Sequence, residues 1–111
     1  MKGNEVFKYA VKRMGEAAEE ALQRAGLTTD NVDIFIPHQA NIRIIDAVGD
    51  RLKVPKEKVY VNIERYGNVS VACIPIAIHE LRQHKKVKPG TVMLLDAFGA
   101  GFTWAAVVYR W

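Results

Sequence analysis

The chain has a single cysteine, Cys73, among its 111 residues. No internal disulfide can form, which suits a reducing cytosol. No apolar run approaches the roughly 18 residues of a membrane span. The opening Met1-Lys2-Gly3-Asn4-Glu5 leads into an amphipathic pattern, not into the apolar core of a secretory signal. Neither sign of charge dominates. Sixteen Lys and Arg face twelve Asp and Glu, a formal net charge of +4, and only Lys85-Lys86-Val87-Lys88 forms a cluster. That balance reads first as a solvated surface and next as a site for an acidic protein partner, since no nucleic-acid-binding motif accompanies it. Histidine is scarce as well. His38, His79 and His84 are not paired with Cys or carboxylates at ligand spacing, so no metal centre is expected.

What is present is an ordinary soluble composition, half hydrophobic and a quarter charged, with the length of one domain. Apolar residues at helical spacing predict a helix over Val6–Ala25, closed by Gly26 in a left-handed cap. Asp33–Pro37 reads as a short buried strand. A second helix is expected over Asn41–Leu52, then a strand over Val59–Asn62. A third helix over Ser70–His84 leaves almost no polar face in its first two turns, and Pro75 is tolerable only near its start. Thr91–Phe98 and Phe102–Trp111 read as strands joined by Gly99-Ala100-Gly101. The order αβαβαββ implies an α/β fold with helices on both faces of a largely parallel sheet, the last strand antiparallel. One side of the third helix can pack on this sheet. Its other side calls for a second layer from another chain or segment.

Two segments stand where apolar strands end and helices are about to start: Pro37-His38-Gln39-Ala40-Asn41 and Tyr66-Gly67-Asn68. Strand ends of open α/β sheets are where such folds keep their chemistry. Taken singly, His38 reads as a histidine satisfied by a nearby carbonyl, and Asn68 as a turn or helix N-cap. As a pair, His38 and Asn68 offer two neutral donors that can stabilise an enolate oxygen without fixed charge. Gly99-Ala100-Gly101 is a hairpin link that can also present a backbone N–H to an oxyanion. A Cys–His–Asn reading of Cys73 is disfavoured, because a thiol inside an apolar helix is inert and belongs to packing.

With His38-Gln39-Ala40-Asn41-Ile42-Arg43-Ile44, Arg65-Tyr66-Gly67-Asn68 and Ala97-Phe98-Gly99-Ala100-Gly101-Phe102-Thr103-Trp104 in order, the chain resembles the C-terminal third of β-ketoacyl-acyl-carrier-protein synthase III. The resemblance implies one thiolase-like domain over residues 1–111, with four strands and the last as an exposed edge. It implies that the third helix lies between two sheets, the second belonging to an N-terminal half absent here. It also implies a decarboxylative condensation of an acyl-CoA with malonyl-acyl carrier protein, in which a cysteine of the N-terminal half takes the acyl group. His38 and Asn68 would then activate the malonyl thioester, the Ala100 N–H would face the oxyanion, and Arg43, Lys8 and Arg51 would meet the acidic carrier protein. No cofactor is implied, the location is cytoplasmic, and the chain is expected to be inactive alone. The rival readings are a non-catalytic remnant or carrier-binding module, and part of a related polyketide or quinolone condensing enzyme.

Overall fold

The computed structural model describes residues 3–39, 41–68, 72–99 and 102–111. The first helix, α1 (Gly3–Arg24), starts three residues earlier than the apolar spacing predicts. Ala10, Met14, Ala18 and Leu22, one per turn, are buried along it. It ends as expected at Gly26, whose φ is +71°. There the Leu27 N–H reaches the Leu22 carbonyl at 2.9 Å and the Gly26 N–H reaches that of Gln23 at 3.0 Å, the paired closure of a Schellman motif. A 3₁₀ turn at Thr29–Asn31 leads to β1 (Ile34–Pro37). The second helix, α2 (Ile42–Leu52), is capped by Asn41, whose side-chain oxygen accepts the Ile44 N–H at 2.9 Å. After a 3₁₀ turn at Lys56–Lys58 come a one-turn helix α3 (Ile63–Tyr66) and α4 (Cys73–Gln83). Two strands, β2 (Val92–Gly99) and β3 (Thr103–Arg110), complete the chain.

The sheet order is β1-β2-β3, with β1 parallel to β2 and β2 antiparallel to β3. Alternation along the strands sorts the side chains into two layers. Phe35 and Leu94 face α1 and α2, where they meet Ala10, Met14, Ala18, Ile44 and Val48. Ile36 and Met93 face the other way, onto Ala77 and Leu81 of α4. Helices therefore cover both faces of a mixed α/β sheet, as the element order implied.

The expected strand at Val59–Asn62 is absent, and among the described residues three strands form instead of four. Only one parallel bridge survives, between Phe35 and Val59, with the Tyr60 N–H on the Phe35 carbonyl at 2.8 Å. The reason is local competition for backbone donors. Pro37 has no N–H for the next ladder bond, and the Asn62 N–H that would follow goes to the Gln39 side chain, which also takes that of Ile63, so the ladder stops and the chain turns into α3. The third expected helix is shorter than its apolar run. It begins at Cys73 after Ala72, and residues 70 and 71 lie outside the described set. Cys73, Ala77, Glu80 and Leu81 are buried on α4, whereas Ile74, Ile76 and Ile78 are only half-buried. The helix thus keeps an incompletely covered apolar side. As predicted, β3 is an edge strand, and Val107 and Tyr109 stand exposed on it.

Candidate active site

β1 delivers His38 to the carboxyl end of the sheet. The strand pairing of Pro37 with Asp96 continues one step further, with the His38 N–H on the Asp96 carbonyl at 2.7 Å. The imidazole is half-buried, and its Nδ1 lies 3.1 Å from the Sγ of Cys73. Burial lowers the His38 pKa from its usual value, so the ring stays neutral over a wider pH range. Cys73 is the buried first residue of α4. Its assignment to packing is therefore incomplete, because it also touches the histidine. The two residues are 35 positions apart, and no spacing rule links them.

Asn68 follows α3 directly. Gly67 caps that helix with φ +67° and ψ −162°, a region essentially restricted to glycine. The Gly67 N–H returns to the Ile63 carbonyl at 2.7 Å, and the unusual backbone then turns the chain out into Asn68, which is exposed. Since α4 begins five residues later, Asn68 is not the N-cap of that helix.

Gln39 connects these two segments, and sequence reading passed over it as a spacer within the histidine motif. It is fully buried. Its amide donates to the Pro37 carbonyl at 2.8 Å and to that of Tyr60 at 3.2 Å. Its oxygen accepts the N–H groups of Asn62 at 2.9 Å and Ile63 at 3.1 Å. All four hydrogen-bonding positions of the carboxamide are in use.

A second polar centre was also missed. Glu80, buried on α4, accepts the Tyr60 hydroxyl at 2.5 Å, the Asn62 side-chain amide at 3.2 Å, Arg65 at 2.9 Å and the Tyr66 hydroxyl at 2.9 Å. These donors, the Tyr60 hydroxyl first, hold its carboxyl down to about 2 despite burial. Burial and the adjacent carboxylate push the Tyr60 phenol up to about 12, so it remains a donor. A third missed group is Asp96, fully buried, with no hydrogen-bond partner for either carboxylate oxygen among the described residues. Strand alternation carried a usable signal here, because Leu94, Asp96 and Phe98 share one face.

The remaining predicted positions are spread across the α1–α2 layer and the hairpin. Arg43 is exposed in the first turn of α2, its guanidinium 5.1 Å from the centre of the Phe7 ring. Lys8 is exposed on α1. Arg51 is already engaged within the fold. It lies across Gly15, where an added Cβ would collide with it, and pairs with Glu19 at 3.4 Å. Ala100 lies outside the described residues. No group of three or more His, Cys, Asp or Glu that could hold a metal ion occurs among the described residues, and no described helix is long and apolar enough to cross a membrane.

The family model "3-Oxoacyl-[acyl-carrier-protein (ACP)] synthase III C terminal" matches residues 22–111. Similar curated proteins include the beta-ketoacyl-[acyl-carrier-protein] synthase III of Aquifex aeolicus, 52% identical over 111 residues. That of Roseiflexus castenholzii is 51% identical over the same span. All of this chain is matched, against 36% and 34% of those proteins, so it spans about a third of their length. The crystal structure of the Aquifex aeolicus 3-oxoacyl-[acyl-carrier-protein] synthase III superposes with a TM-score of 0.97, covering 100% of this chain and 36% of that one.

Proposed function

The chain belongs to the 3-oxoacyl-[acyl-carrier-protein] synthase III family, matching its C-terminal part, and from that premise we propose that it carries the malonyl-activating half of a condensing active site. In this reading His38 and Asn68 donate hydrogen bonds to the thioester carbonyl of a malonyl group on acyl carrier protein. The bond between the α-carbon and the carboxylate breaks, carbon dioxide leaves, and the electron pair delocalises onto the carbonyl oxygen as an enolate. The α-carbon then attacks an acyl thioester held on a cysteine. The new carbon–carbon bond forms as that cysteine thiolate leaves, giving a 3-oxoacyl thioester. The acylated cysteine belongs to the portion of the relatives that this chain does not span.

The observation that carries the proposal is the setting of His38. Its Nδ1 is engaged by Cys73 at 3.1 Å, which leaves Nε2 as the nitrogen to present to substrate. Burial keeps the ring neutral. With the Cys73 thiol donating to Nδ1, the neutral imidazole carries its proton on Nε2 and donates there, and a preorganised donor at a developing oxyanion is worth about 100- to 1000-fold in rate. Exposed Arg43 and Lys8 supply positive charge for an acidic carrier protein, while Arg51, tied to Glu19, is the weaker member of that surface. The Ala100 N–H is assigned to the oxyanion by resemblance alone.

The test joins this chain to the N-terminal two thirds of the Aquifex aeolicus relative and measures malonyl-carrier-dependent condensation. Activity is expected in the joined protein, with losses of about 100- to 1000-fold in His38→Ala and in Asn68→Ala. A well-folded joined protein without activity, or full activity in both variants, overturns the proposal.

A further inference from the structure

We infer that Gln39 is a positioning residue for this reaction: it sets where Asn68 stands relative to His38, with Glu80 anchoring the same turn from α4. The inference rests on the reading of His38 and Asn68 as the malonyl-activating pair.

By itself α3 cannot fix where Asn68 stands. A helix of one turn, Ile63–Tyr66, has too few internal hydrogen bonds to hold its own shape or position. The strand expected just before it has shrunk to a single bridge, so no ladder fixes it either. Something else must hold the segment that ends in Asn68, and two side chains do.

Gln39 grips it from the histidine side. Being the residue next to His38, it moves with the end of β1, and its bond to the Pro37 carbonyl ties it there at 2.8 Å. Its remaining three bonds reach across to the Tyr60 carbonyl and to the amides of Asn62 and Ile63. Those two amides lead into α3, so Gln39 binds the point from which the one-turn helix departs. Asn68 lies five residues beyond Ile63, one past the kink at Gly67, whose N–H is held by the Ile63 carbonyl at 2.7 Å. A displacement where α3 starts therefore shifts the turn from which Asn68 departs.

Glu80 grips the segment from α4. It collects donors from Tyr60, Asn62, Arg65 and Tyr66, four residues from just before α3 to its last position. Asn62 is shared: its backbone N–H goes to Gln39 and its side chain to Glu80. Gln39, Asn62 and Glu80 are buried, and a shift of this segment would strand their polar groups at once, which favours one arrangement.

The experiment uses the joined protein described above and measures decarboxylation of malonyl-acyl carrier protein, with kcat and KM resolved. Gln39→Ala is expected to lower kcat by about 10- to 100-fold with little change in KM, the signature of a misplaced catalytic group. Glu80→Gln keeps its shape and should lower kcat by a smaller factor, about 3- to 10-fold. Each variant is then combined with Asn68→Ala. If Gln39 and Glu80 act through Asn68, their effects shrink to about twofold or less in that background, because the group they place is gone. A merely structural role would leave the losses multiplicative. Rates within twofold of wild type in both single variants, or fully multiplicative losses, overturn the inference even where His38→Ala and Asn68→Ala lose about 100- to 1000-fold. Full activity in those two variants instead removes the underlying reading. Should Gln39→Ala fail to fold, the Glu80→Gln pair decides alone.

Discussion

Replacing Asp96 with asparagine should make the protein less stable in acid and more stable in base, with the two stability curves crossing between. Asp96 lies in β2, wholly buried, and neither carboxylate oxygen has a hydrogen-bond partner among the described residues. Desolvation pushes its pKa from 3.8 up to about 9. The nearby Ala97 N–H works weakly in the opposite direction, although no hydrogen bond to the carboxylate forms. The sign follows from linkage. Below pH 3.8 the group is protonated in both folded and unfolded chains and costs nothing by titration. Between 3.8 and about 9 the unfolded chain releases the proton while the folded one keeps it, so stability falls as pH rises. The slope is about 1.4 kcal/mol per pH unit. By pH 7 the accumulated cost is on the order of 4 kcal/mol.

Asparagine has the same shape and no titration, so the Asp96→Asn variant loses that slope. It also brings its own buried amide, a penalty of about 1–3 kcal/mol at every pH. At pH 4 only this penalty operates, and the variant is expected to be the less stable. At pH 8 the removed titration outweighs it. Urea unfolding at pH 4, 6 and 8 measures the difference, with the m-value checked for constancy. His38 and Glu80 titrate in both proteins and cancel in the comparison. A stability difference independent of pH, or an asparagine variant less stable throughout, refutes the account of Asp96 as a neutral buried acid.

Two further outcomes follow from the charged groups. Glu80→Gln is expected to lose about 1.5–3 kcal/mol at neutral pH, the worth of hydrogen bonds to a charged acceptor. Because the folded-state pKa of Glu80 is depressed from 4.5 to about 2, this contribution is complete above 4.5 and fades as pH falls toward 2, so unfolding curves of wild type and variant should converge there. Arg43→Glu should weaken binding of acyl carrier protein and flatten its salt dependence, read by titration at about 50 and 300 mM salt. Undiminished affinity in that variant removes Arg43 from the carrier surface.

The elements that sequence reading found are those governed by local pattern. The one-per-turn stripe Ala10, Met14, Ala18 and Leu22 defines α1 without reference to anything else, and Gly26 ends it for a conformational reason visible in one residue. Asn41 caps α2 as its type predicts. The strand at Val59–Asn62 failed because its fate depends on a residue more than twenty positions away. Apolar content there permits a strand, but Pro37 has no N–H to extend the ladder and Gln39 takes the Asn62 amide that would come next. Glu80 was unreadable for the same reason. On an apolar helix it looks like a lone solvated position, and only the fold assembles its four donors from residues 14 to 20 positions earlier.

These long-range contacts share a physical logic that bears on the proposed chemistry. The groups nearest His38 are kept uncharged: burial holds the imidazole neutral, the same effect keeps Asp96 protonated at neutral pH, and Gln39 is an amide. Glu80, a buried carboxylate held charged, accepts from four donors, Arg65 among them. An unpaired carboxylate beside His38 would favour the imidazolium and repel a developing enolate. Protonating Asp96 and neutralising Glu80 through its partners both avoid that conflict. In the proposed reaction, neutral donors would stabilise negative charge that develops on the thioester oxygen only as carbon dioxide leaves, which is the selectivity for transition state over ground state that catalysis requires.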